Sequence, residues 1–303
     1  MLIALLTPAL AAPAPLATVS EVRFTASFYL DSEADHREYL ALRPDSAMVG
    51  QLMKSTEGSE PENIDSDGGT YHRYDLNVTT VDGLSIGDRW RLSGEQTNAV
   101  CTVSGFEMVA SPEARAGATE EDAGAPCSAP LFVARVDCAQ DATGAWFAVP
   151  ASAPVPVWAT KADGEITLEK RRQLLRDGTV SGLQAAVSEG AANRNEPMKS
   201  EVTTQTYRLG DHTIQSVKGT FYTGAGEDEC GGEDLASRWS TLIIDGAVRP
   251  PEQTWRYWLS GVIDLDGDGE PEVLEQINGE QQIRDASGNV LRAHMPEWCV
   301  CGC

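Results

Sequence analysis

Asp264, Asp266 and Asp268 alternate along the run Asp264-Leu265-Asp266-Gly267-Asp268-Gly269-Glu270-Pro271-Glu272. Carboxylates at positions 1, 3 and 5 of a loop turn inward together when the backbone coils. That is a donor set for a hard cation: Ca²⁺ takes about 6–8 oxygens at roughly 2.3–2.6 Å. Gly269 occupies position 6, where the chain must bend sharply. Glu270 offers its main-chain carbonyl at position 7, while Glu272 at position 9 and Glu275 at position 12 compete to close the shell. The opposing reading is an acidic turn that binds nothing, since Asp-Gly is ordinary hairpin chemistry. Three spaced aspartates exceed what a turn requires, and without a cation they repel one another.

The flanking segments choose between the two closing carboxylates. Trp255 to Ile263 is aromatic and β-branched, which is strand composition. Pro271 biases Glu270 away from helical angles. Val273 to Ile277 reads as a short strand stopped by Asn278-Gly279, a strong turn signal. The loop is therefore expected between two strands. With no exit helix to bring position 12 back, Glu272 is the expected closing ligand.

The pattern Asp-x-Asp-Gly-Asp-Gly-x-x-Glu between strands resembles the calcium hairpin of FG-GAP and VCBS repeats, which are related to the loops of integrin propellers. The resemblance spans Asp264 to Leu274. It implies one structural Ca²⁺ held by Asp264, Asp266, Asp268 and Glu272, in a β context. A propeller is not implied, because such folds repeat similar blades and no second copy of the motif occurs. The nearest echo, Asp65-Ser66-Asp67-Gly68-Gly69, lacks the third aspartate and reads as a turn. Extracellular modules hold calcium with dissociation constants of about 10⁻⁴–10⁻³ M.

Composition narrows the function classes. The chain has 303 residues, 46 acidic against 23 basic, and a net charge of −23. Such acidity speaks against nucleic acid and against an anionic membrane surface as partners, and favours cation binding. Met1 to Ala12 is a short apolar run containing Ala9-Leu10-Ala11, an Ala-x-Ala cleavage pattern, although it lacks a basic start. We read residues 1–12 as an export signal, too short to span a bilayer. The expected location is secreted or periplasmic, and seven cysteines suit an oxidising compartment.

The fold class expected is mainly β with minor α, built of antiparallel strands and hairpins in two small domains. Residues 20–149 form the first, Pro150 to Pro156 a proline-rich linker, and 157–303 the second, which carries the calcium hairpin. Strands are predicted at 22–30, 71–80, 88–93, 99–110, 131–137 and 145–149. Beyond the linker they are predicted at 201–209, 212–223, 238–245, 254–264, 272–277 and 281–284. Asp31 to Leu42 reads as a short helix, as does Ser46 to Lys54. Thr167 caps a helix over 168–176, and 180–189 adds a turn or two. Residues 55–69 and 111–127 read as loops.

Cys101 is expected to bridge Cys127 or Cys138, and Cys230 to pin the C-terminus through Cys299 or Cys301. The three alternating thiols at Cys299, Cys301 and Cys303 could instead hold a soft metal, but export makes disulfides the expectation. None of His36, His72, His212 and His294 forms a zinc-hydrolase spacing, and no nucleophile elbow, phosphate loop or dinucleotide fingerprint occurs. These readings converge on an exported, non-catalytic calcium-binding protein whose partner is an unknown protein or glycan at a cell surface. The competing expectation is a secreted, glycosidase-like hydrolase with an acidic cleft and a structural calcium.

Overall fold

The computed structural model describes residues 22–29, 36–57, 59–66, 69–110, 130–223, 236–254, 257–277 and 280–294. The signal-like start, the 111–127 segment, Trp255, the Asn278-Gly279 turn, and Cys127, Cys230, Cys299, Cys301 and Cys303 lie outside them.

The protein is mainly antiparallel β. Its first part contains β1 (Arg23–Tyr29), β2 (His36–Ala41), α1 (Ser46–Ser55), β3 (Glu62–Ser66) and β4 (Gly69–Leu76). A small hairpin follows, β5 (Thr80–Val81) and β6 (Leu84–Ser85), then β7 (Arg89–Ser93), β8 (Asn98–Ala110), β9 (Leu131–Cys138) and β10 (Phe147–Pro150). The long β8 pairs with β7 along one edge and β9 along the other. From β9 the ladder returns through β2, β1 and β10 to β7, so the sheet closes into a small barrel. The β3–β4 hairpin adds to the end of β8. Closure removes unpaired edges from a strand set that would otherwise expose them.

Leu40, Leu92, Val103, Phe106, Met108, Phe132 and Ala148 fill one apolar cluster, capped by Leu52 of α1 and by Val81 and Leu84. Cys101 and Cys138 are register partners on β8 and β9 and form a disulfide. Of the two partners expected for Cys101, the structure thus selects Cys138.

Two predicted elements are corrected here. Asp31 to Leu42, read as a helix, contains strand β2. Its neighbours explain the misreading: Tyr39 and Ala41 face one core cluster while Leu40 and Leu42 face another. A strand buried on both faces loses the alternation that would mark it. The 55–69 loop contains strand β3, a polar edge strand with Glu62 and Asn63 exposed.

The second part comprises β11 (Val157–Trp158), β12 (Thr160–Ala162), α2 (Leu168–Leu175), α3 (Gly178–Arg194), β13 (Lys199–Leu209), β14 (His212–Tyr222), β15 (Ala236–Ile244) and β16 (Ala247–Val248). It ends with β17 (Glu252–Thr254), β18 (Tyr257–Asp264), β19 (Glu272–Ile277), β20 (Glu280–Arg284) and β21 (Val290–His294). Thr167 caps α2 as predicted, its side chain accepting from Lys170 N at 3.2 Å. Helix α3 is longer than its 180–189 forecast, running until Asn195 adopts a left-handed φ of 56°.

Two sheets result, in the orders β12-β13-β14-β15-β16 and β11-β18-β19-β20-β21. Val217, Phe221, Trp239 and Ile243 turn one face of the first sheet to Leu174 of α2 and to Val180 and Val187 of α3. Trp239 lies across Gly219, where an added Cβ would meet the indole at 2.2 Å. The other face, with Tyr207, Ile214 and Leu242, packs on Leu259, Val262 and Val273 of the second sheet. That sheet in turn presents Ile263, Leu265, Leu274 and Ile283 to Phe24, Tyr39, Val133 and Phe147 of the barrel. The order of layers is helices, sheet, sheet, barrel.

Sheet membership changes across residues 150–157, yet this segment is tied down. Ala153 is buried in the cluster shared by barrel and sheet, and Trp158 donates from Nε1 to Ser93 Oγ at 2.9 Å.

Candidate metal centre

The aspartate loop joins β18 to β19 at one end of the middle sheet. Ile263 pairs with Glu272 as the last rung of the hairpin, so the strands hold both ends of the loop in register. On the other edge Val157 of β11 pairs with Asp264. Leu265, the second loop residue, is 1% exposed because its side chain enters the cluster shared with the barrel. Burying Leu265 turns its neighbours Asp264 and Asp266 away from that core. The two bends fall at Gly267 and Gly269, with φ of 81° and 89°. Both are left-handed angles that glycine adopts without the Cβ penalty.

Asp264, Asp266 and Asp268 are brought together: one carboxylate oxygen from each lies within 4.8 Å of the other two. Oxygens about 2.3–2.6 Å from a common ion lie at most about 5 Å apart, so this convergence could hold a metal ion. Asp264 is 9% exposed, and its two oxygens accept from Gly267 N at 2.6 Å and Gly269 N at 3.1 Å. Asp266 accepts from Asp268 N at 3.2 Å, and Asp268 from Glu270 N at 2.8 Å. Each aspartate thus keeps lone pairs beyond those given to the backbone.

Glu272 and Glu270 are placed differently. Glu272 opens β19, as expected of a ligand leaving on a strand, and is buried at the base of the loop. Its Oε2 accepts from Leu265 N at 2.8 Å, and it stands outside the group of three. Burial pushes its carboxyl up to about 7, and the charges of Asp266, Asp268 and Asp264 add to the shift. Burial also raises Asp266, with Asp268 and Asp264 contributing. Glu270 is exposed and likewise outside the group. Negative charge is thus concentrated here without a cationic side chain among the described residues bonded to it. A divalent ion would supply the missing positive charge.

Glu275, the rejected position 12, belongs to a separate network between the two sheets. It is 2% exposed and accepts from Tyr257 OH at 2.8 Å, with Arg284 Nε 3.4 Å away. Arg284 also pairs with Glu252 at 2.8 Å. One oxygen of this buried carboxylate is hydrogen-bonded by Tyr257, and the other has only the ion pair with Arg284.

No family model, curated protein or solved structure matches the chain. Among the described residues no helix is long and apolar enough to cross a membrane.

Proposed function

We propose that this chain is an exported, non-catalytic calcium-binding β protein that serves as an interaction module for a protein or glycan at a cell surface. One structural Ca²⁺ is held in the β18–β19 hairpin. The observation that carries the ion is the convergence of the Asp264, Asp266 and Asp268 carboxylates within 4.8 Å of one another. Glu272 stands at the base of the same loop, where deprotonation completes the acidic shell, and the Glu270 carbonyl is the further donor assigned from its position. The ion supplies charge neutralisation, so the loop keeps its coil instead of opening under repulsion.

The chain's own residues set the consequence. Asp264 is a strand residue paired with Val157, and Leu265 is packed against the barrel. Order in the loop therefore stabilises two layers at once. The cysteine content of the chain supports the exported reading. Thermal melts test it: the melting temperature rises with millimolar Ca²⁺ over chelator in the wild type and not in Asp266→Ala. Coincident wild-type melts would remove the ion from the account.

A further inference from the structure

A second charged cluster has the opposite sign. Arg23 of β1 pairs with the carboxylate of Asp82 and also donates to its carbonyl. Arg43, just after β2, donates its backbone N–H to Asp82 Oδ2 at 3.1 Å. From β21 in the middle sheet come Arg292 and His294. Arg43 donates from Nε to His294 Nδ1 at 3.3 Å. Burial lowers the pKa of Arg292, and the nearby charges of Arg23 and Arg43 lower it further, with Asp82 opposing. Of the three guanidiniums, that of Arg23 pairs with Asp82 and that of Arg43 bonds His294, so three positive charges gather about one negative in a chain whose net charge is −23.

The hydrogen-bond inventory is equally one-sided. A guanidinium only donates, so Nδ1 of His294 is the acceptor and the ring proton sits on Nε2. His294 is 5% exposed, stacked on Phe24 with ring centres 5.7 Å apart. Its Nε2 is buried with no acceptor among the described residues. Burial and the charges of Arg43 and Arg292 push its pKa down to about 4, so the ring stays a neutral donor. Among those residues the Arg292 side chain has no hydrogen bond or ion pair, and Arg43 has no side-chain carboxylate partner. A buried donor left without an acceptor is destabilising, so such a cluster calls for an acceptor.

We propose that this seam between the barrel and β21 is an oxyanion site taking a phosphate or sulfate group, free or as a monoester. Planar guanidiniums bind such groups through paired N–H donors. Three of them plus an imidazole N–H outnumber the two oxygens of a carboxylate and match the oxygens of a tetrahedral ion. The Asp82-Gly83 turn builds the site into the fold. Asp82 holds φ at 49° and Gly83 at 75°, and this turn presents the one carboxylate that spaces Arg23 from Arg43. The inference is independent of the calcium loop.

The test uses the full-length protein at fixed ionic strength, with sodium phosphate, sulfate, acetate or chloride. Phosphate and sulfate should raise the melting temperature by several degrees over chloride, and acetate should not. Calorimetric titration should show binding of phosphate weakened at least ten-fold in Arg292→Gln, whose circular dichroism stays that of wild type. Phenyl phosphate distinguishes the sources: binding as tight as phosphate supports a monoester ligand, and ten-fold weaker binding supports the free ion. In wild type the His294 Nε2 nitrogen resonance should move as phosphate is added. Equal melting in phosphate and chloride, a phosphate effect that survives both Arg292→Gln and Arg43→Gln, or an unmoved His294 resonance would overturn the site.

Discussion

The indole of Trp158 closes against Gly261. A Cβ at position 261 would stand 2.5 Å from Cζ3 of that indole, and the same ring stacks on Phe147 and bonds Ser93 in the barrel. The missing side chain at Gly261 is what lets one tryptophan fasten sheet to barrel. We expect Gly261→Ala to destabilise the protein by about 1–3 kcal/mol, the range for overpacking a filled site. Urea unfolding measures it. In a Trp158→Leu background the same substitution should cost little, because the two positions are directly coupled. A full penalty in that background would show the strain lies elsewhere.

Glu107 on β8 is wholly buried against two arginines. Arg135 Nη1 is 2.9 Å from its carboxylate and Arg73 Nε 3.9 Å. Burial raises its pKa, while Arg73 and Arg135 pull it down. Removing one partner of a buried pair typically costs about 3–5 kcal/mol. Here Arg73 and Arg135 retain Glu62 and Asp75, so Glu107→Ala should fall near the lower end, about 3 kcal/mol. Equilibrium unfolding of the variant checks the value, and a loss under about 1 kcal/mol would mean the carboxylate is replaceable by water.

His294 should make stability depend on pH. Its folded pKa, about 4, lies below the unfolded value of 6.5. The unfolded chain therefore binds a proton first as pH falls. The contribution is full above pH 6.5 and is lost as pH drops towards 4. The gap corresponds to about 3 kcal/mol by linkage. In phosphate-free buffer, His294→Gln should flatten the unfolding free energy between pH 6.5 and 4. A variant whose slope equals that of wild type would contradict this origin.

The limits of sequence reading follow from burial. The acidic hairpin was legible because its three aspartates fall within five residues of sequence and the flanking segments carry strand composition. The same holds for α2, whose Thr167 cap and following charges are local. Strand β2 was illegible as a strand because Tyr39 and Leu40 each enter a core, which abolishes the period of two. Strand β3 was illegible because Glu62–Ser66 is an edge strand with a single apolar residue, too few to set up an alternation. Helix α3 buries only Val180, Val187 and Ala191 along its length, too sparse a stripe to mark its true end. The arginine cluster had no local sign at all: Arg23 and Arg292 are brought together only when β21 docks beside the barrel. Ligand identity at the hairpin goes beyond backbone placement, since Glu272 contacts Leu265 N while three aspartates converge above it.

Equilibrium dialysis against radioactive calcium, at a salt concentration that suppresses diffuse binding to an acidic chain, tests the central claim most directly. The account predicts one ion bound per wild-type chain, half-saturated at about 10⁻⁴–10⁻³ M, and none in Asp266→Ala. Equal calcium retention by the wild type and the variant would contradict it.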